Sequence, residues 1–256
     1  MNIITLILSL IILGVTALVL YKIWKIHLAS FELVDKARDI HSEIRNLYPQ
    51  IQAYIDLRSL LEITYHMPVL RGWAASPDFL LLIARHTLEK APKTIVECSS
   101  GATTIVLARC MQMQGNGHVY SLEHDPKFAQ ITRSNLALSK LSEWATVIDA
   151  PLKQLNEMPD HIWYSTDKIS SFVNIDMLVI DGPPWNTCKF ARYPSIPMLK
   201  DRFSQNCSIF LDDAARSDEQ WMVKKWLAEC SELTSEYMPL EKGAVKIKMN
   251  NISHSN

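Results

Sequence analysis

Three aspartates are the residues whose types and spacing most invite chemistry. Asp181 closes the apolar run Ile175–Ile180, and the pair Asp212-Asp213 closes another, Ser208–Leu211. Both runs read as buried strands of a parallel sheet, which brings the three carboxylates to one edge. Carboxylates gathered in one cleft repel unless a cation is shared or a proton is taken up. Such an oxygen-rich set suits Mg²⁺, with waters or substrate oxygens in its open positions. Asp181 is the foremost candidate to bind a substrate or accept its proton, with Asp212 and Asp213 assisting directly or through the metal. The plainer alternatives are that Asp212 or Asp213 caps the following segment, or pairs with Arg192 or Arg216. Those arginines could instead hold an anionic substrate group by paired hydrogen bonds.

A second acidic station lies earlier. Thr94–Val96 is β-branched and apolar, as a covered parallel strand should be, and Glu97 follows it. Ser99, Ser100 and Gly101 are small enough to let backbone approach a ligand, and the helix after them aims free N–H groups at the turn. A carboxylate here repels phosphate, and no Gly-Lys-Ser/Thr follows, so a P-loop or a dinucleotide site fits poorly. A cofactor with an ammonium and ribose hydroxyls suits better. A second strand, from His118, reaches Glu123 about twenty residues after the glycine, where an acid accepts hydrogen bonds from both ribose hydroxyls. The alternative is an exposed strand-end carboxylate.

The elements that must hold these groups alternate. Strands at 94–96, 118–123, 145–149, 175–180 and 208–213 are separated by helical patterns, and 235–240 with 243–249 reads as a closing hairpin. Ser76 and Pro77 start one helix, Asp125-Pro126 another, and Ser217-Asp218-Glu219 caps a third. Ahead of them, Ile3–Tyr21 carries no charge and is long enough to span a bilayer. Lys22 and Lys25 follow it and no Lys or Arg precedes it, which puts the domain in the cytoplasm, at the inner membrane. The missing basic n-region and cleavage site disfavour a signal peptide. Residues 26–69 read as an amphipathic stalk, broken into two helices at Pro49, with a coiled-coil homodimer as an open alternative. The expected organisation is an anchor at 1–25, the stalk at 26–69, the catalytic domain at 70–249 and a loose tail at 250–256. A net charge of -1 in 256 residues gives no case for nucleic acid. Five scattered cysteines without zinc spacing suit reduced thiols.

The Glu97–Gly101 stretch resembles the first motif of the class I S-adenosylmethionine-dependent methyltransferases, commonly Glu/Asp-x-Gly-x-Gly. Ser99 replaces the first glycine, so the loop is expected to avoid a conformation only glycine tolerates. The resemblance covers about Leu70 to Met249 and is closest to a bacterial subgroup of undefined substrate. It implies a Rossmann-like, seven-stranded, mostly parallel sheet flanked by helices, with S-adenosylmethionine over the first three strands. It also implies Glu97 near the ammonium, Ser99 and Gly101 in the binding loop, Glu123 on the ribose, and Asp149 and Ala150 beside the adenine. Asp149 could equally cap the next turn. The Asp181 and Asp212-Asp213 pattern is similar to the Mg²⁺ site of the catechol O-methyltransferase group, with Asp-Asp in place of Asp-Asn. Pro184 stands where that group has its lysine base, so the base does not carry over. The expected reaction is O-methylation of a small-molecule or membrane-associated, envelope-related acceptor. A tethered binding protein with a degenerate site, and a nucleotide-dependent oxidoreductase on the same architecture, are the alternatives.

Overall fold

The computed structural model describes residues 2–70, 72–165, 167 and 172–249. The expected tail, 250–256, lies outside the described residues. The chain divides into two units, Met1–Pro49 and Gln50–Asn256.

Helix α1, Ile3–Leu60, supplies nearly all of the first unit and the start of the second. It contains an 18-residue window of mean hydropathy 2.9, long and apolar enough to cross a membrane. Its few hydroxyls bond back along the helix: Ser9 Oγ to Thr5 O at 2.8 Å, Thr16 Oγ1 to Ile12 O at 2.8 Å. Within that window the hydroxyls of Thr5, Ser9 and Thr16 are satisfied by backbone carbonyls. The expected break at Pro49 does not occur, because the helix runs through it. Arg45, whose carbonyl loses its partner, and Pro49 itself are both exposed, so the freed group faces solvent.

The second unit starts earlier than the sequence suggests. Ala53, Leu57, Leu61, Ile63 and Met67 are buried in its core, so the end of the expected stalk packs as part of the domain. Then follow α2 (Pro77–Lys90), β1 (Thr94–Cys98), α3 (Ala102–Gln114), β2 (His118–Glu123), α4 (Pro126–Leu138) and β3 (Ala145–Asp149). A hairpin comes next, β4 (Leu152–Gln154) and β5 (Ile162–Tyr164), then β6 (Ile175–Ile180), α5 (Ser195–Leu199) and β7 (Phe203–Asp212). The chain closes with α6 (Ser217–Glu229), β8 (Leu233–Met238) and β9 (Ala244–Met249).

The main sheet has seven strands in the order β3-β2-β1-β6-β7-β9-β8. β1, β2, β3, β6 and β7 run parallel, and β9 is antiparallel to both its neighbours. The period-two pleat sorts side chains onto two cores. Ile95, Met177, Val179 and Phe210 pack under α2 and α3. Val96, Leu178, Ile180, Ile209 and Leu211 pack with Trp163 and Tyr164 of the small hairpin and Trp226 of α6. This is the Rossmann-like, seven-stranded architecture that the resemblance implies. The β4–β5 hairpin is an addition that the sequence pattern does not announce. Helix starts differ in detail. Ser76 precedes α2 but donates to Asp78 Oδ1 instead of capping, whereas Asp125 caps α4 by accepting from Lys127 N at 2.8 Å. Arg216, not Ser217, holds the N-cap position of α6.

Candidate active site at the carboxyl edge of the sheet

Parallel pairing places the ends of β1, β2, β3, β6 and β7 along one edge. Glu97 lies just inside that edge and is fully buried. It accepts from three hydroxyls: Thr103, Thr104 at 2.8 Å and Ser121 at 2.6 Å. Burial pushes its carboxyl up to about 7, against the pull of those hydroxyls. Glu97, expected near a cofactor ammonium, is occupied by these three hydroxyls. The carboxylate is enclosed, and it ties the start of α3 to β1 and β2.

Ser99 also departs from expectation. Its φ is +121°, the left-handed side that the serine was expected to avoid. Two backbone bonds hold the turn there: Ser99 N to Leu122 O at 3.0 Å, and Asp181 N to Cys98 O at 3.2 Å. Such a conformation costs a non-glycine residue about 1–3 kcal/mol and persists only where the surroundings over-determine it. Gly101, at φ +152°, is a glycine by necessity. Its N–H donates to Thr104 Oγ1 at 3.0 Å.

Glu123 sits at the edge, 5% exposed. Its Oε2 accepts from Ser100 Oγ at 2.8 Å, and its Oε1 accepts from the N–H groups of His124 (2.8 Å) and Asp125 (3.0 Å). Burial pushes this carboxyl up, but the bonds from His124, Asp125 and Ser100 outweigh it and hold it below its ordinary range. It is an ionised, oriented acceptor. Asp149 is its register partner on β3, yet its side chain is 58% exposed and paired with Arg133 at 2.8 Å. Ala150 is buried, and its N–H donates to Glu123 O at 2.7 Å.

Asp181, Asp212 and Asp213 meet as predicted, each offering an oxygen within 4.8 Å of the others. Arg192 is threaded into them. Its guanidinium donates to Asp212 O (2.9 Å), Asp181 O (2.7 Å) and Asp213 Oδ2 (2.8 Å), and it is 3% exposed. Arg192, expected either to hold an anionic substrate group or to pair with the nearby aspartates, makes the second set of contacts here. Arg216 also pairs with Asp213, at 2.9 Å, but stays 43% exposed. Asp213 is thus held by two cations. Asp212 Oδ1 accepts from Asp213 N–H at 2.8 Å, while its Oδ2 is buried with no partner among the described residues. Burial and the Asp213 charge push Asp212 up to about 6, and burial and the Asp212 charge push Asp181 well above the usual range. Both shifts favour a proton or a cation at this pair. The donor set fits Mg²⁺ through Asp181 and Asp212, with Asp213 already committed to arginine.

Sequence reasoning passed over Thr103, Thr104 and Ser121, and took Ser100 only as a small turn residue, although the hydroxyls of all four set the two glutamates. Small polar residues are common and carry no periodic signal. It also passed over Tyr164, which the hairpin brings to this edge.

The strand order, the acid-bearing β1 turn and the acid at the end of β2 define the class I methyltransferase architecture. Residues 96–214 match a family model described as a methyltransferase domain. Solved structures share the fold. One is an S-adenosylhomocysteine-bound methyltransferase of Podospora anserina, with TM-score 0.57, 14% identity and coverage of 78% of this chain and 88% of that one. Another is an O-methyltransferase of Streptomyces achromogenes involved in tomaymycin synthesis, in complex with S-adenosylmethionine (TM-score 0.55, 15% identity, 79% and 89% covered). A third is an O-methyltransferase of Bacillus cereus in complex with S-adenosylhomocysteine (TM-score 0.54, 16% identity, 78% and 91% covered). No curated protein matches the chain at a significant level.

Proposed function

We propose that this protein is a membrane-anchored, S-adenosylmethionine-dependent O-methyltransferase with its domain in the cytoplasm. The observation that carries the reading is the pairing, on one edge, of an oriented and ionised Glu123 with the under-satisfied Asp181–Asp212 pair. S-adenosylmethionine supplies a methyl made electrophilic by its sulfonium, so the protein has mainly to align the nucleophile and exclude water. Glu123 is placed to accept from ribose hydroxyls. The Ser99–Gly101 turn and the α3 N-terminus offer backbone N–H groups. Asp181, with Asp212 behind it, is placed to bind an acceptor hydroxyl and hold its proton. Mg²⁺ held by Asp181 and Asp212 would neutralise their charge and polarise an acceptor oxygen. The acceptor is a small or membrane-associated molecule bearing a hydroxyl. Arg216, half exposed, is the cation left to meet an anionic part of it. Lys22 and Lys25 directly after the apolar run support a cytoplasmic domain.

A tethered binding protein is the competing reading, favoured by Pro184 at the position of the catechol group's lysine. The test is full-length protein in its own membranes with methyl-labelled S-adenosylmethionine. Label should enter the lipid or small-molecule fraction, and Asp181→Ala should cut it at least about tenfold. Label that Asp181→Ala leaves unchanged contradicts the assignment. A reporter fused after Asn256 should be active in the cytoplasm; activity outside would reverse the orientation.

A further inference from the structure

Tyr164 is the last residue of β5 and is fully buried. Its ring packs edge-on to Trp163, with centroids 5.4 Å apart, and faces the His124 ring at 6.4 Å. Its hydroxyl has no hydrogen-bond partner among the described residues. That hydroxyl lies against Gly182. A Cβ built there would strike it, and would also come within 3.1 Å of Cys98 O and of Ser99 Cβ. It therefore stands where the turn after β1 meets the turn after β6. The groups whose charges act on it include Cys98, Glu123, Arg192 and Asp181. It feels the charge of both acidic stations.

An unpaired buried hydroxyl costs about 1–3 kcal/mol, and phenylalanine would fill the same space without that cost. Burial pushes the pKa of the Tyr164 hydroxyl well above the usual value, so the group is a neutral donor, neither base nor nucleophile. A donor needs an acceptor. With the ribose at Glu123, the amino-acid part of S-adenosylmethionine would lie towards the β1 and β6 turns. There its carboxylate would suit a phenol. We propose that Tyr164 is a cofactor-contacting residue whose hydroxyl donates a hydrogen bond to the carboxylate of that amino-acid end. The inference rests on the methyltransferase reading above.

The test compares S-adenosylhomocysteine with 5′-methylthioadenosine, which lacks the amino-acid end. Both are titrated calorimetrically into full-length wild type and Tyr164→Phe in detergent, beside thermal unfolding of the ligand-free proteins. Tyr164→Phe should bind S-adenosylhomocysteine about ten- to a hundredfold more weakly and methylthioadenosine within about twofold of wild type. Its ligand-free unfolding temperature should equal or exceed that of wild type, since an unpaired hydroxyl has gone. Unchanged S-adenosylhomocysteine affinity overturns the inference alone. So does equal weakening of both ligands, or a fall of about 4 °C or more in unfolding temperature, which would mark a structural hydroxyl. Folded wild type that binds neither ligand overturns the methyltransferase reading and this inference with it.

Discussion

Two groups of carboxylates share one edge of the sheet, and they are satisfied by different chemistry. At the ends of β1 and β2, Glu97 and Glu123 are held almost wholly by neutral donors, hydroxyls of Ser100, Thr103, Thr104 and Ser121 and backbone N–H groups of His124 and Asp125. At the ends of β6 and β7, Asp181, Asp212 and Asp213 surround a buried arginine, with Arg216 at the rim. Asp212 Oδ2 and Arg192 Nε are left without partners among the described residues. Neutral donors finish a site within the chain. A charge cluster with open positions is finished by a proton, an ion or a ligand. The first group therefore reads as a preformed binding edge, and the second as the place where charge changes during function.

The largest way to break this contrast is Arg192→Ala. Three carboxylates would lose the cation buried among them, a change that costs about 3–5 kcal/mol where a buried pair is broken. Urea unfolding of the full-length protein should show a loss of that order. Arg192→Lys, which keeps the charge but not the fork, should fall between. A negligible loss in Arg192→Ala would mean the aspartates do not depend on it.

Asp212→Asn sharpens the contrast through pH. The native carboxyl titrates near 6, above its ordinary range, so the folded state binds this proton more tightly than the unfolded one. Its contribution is fully present below the unfolded pKa and is lost as pH climbs from about 4 through about 6. The variant should therefore match wild type near pH 4 and exceed it by about 1–3 kcal/mol at pH 8. The same difference at both pH values would contradict the assignment. The smallest effect is expected from Asp149→Asn. Its exposed pair with Arg133 contributes at most about 1 kcal/mol, and cofactor affinity should not change. A tenfold loss of affinity would restore Asp149 to the site.

The sheet was legible because buried parallel strands are continuous apolar runs, and an acid at the end of such a run is conspicuous. Glu97, Glu123, Asp181 and Asp212 were found that way. What surrounds them was not legible, for separate reasons. Arg192 reaches the aspartates only because the segment after Asp181 folds back over the strand ends, a tertiary return without periodicity. Ser99 accepts a positive φ because backbone bonds from two other strand ends fix its turn, which local propensity cannot reveal. Pro49 reads as a break, yet an exposed helix can carry one. The β4–β5 hairpin is built from very short strands, so Tyr164 gave no sign of its position.

The central claim is that this edge binds S-adenosylmethionine with Glu123 on the ribose. The direct measurement is calorimetric titration of folded full-length protein in detergent with S-adenosylhomocysteine, beside a Glu123→Gln variant checked for normal unfolding. Micromolar binding by wild type, weakened at least about tenfold in the variant, is the predicted result. No binding by folded wild type, or equal binding by both proteins, would contradict it.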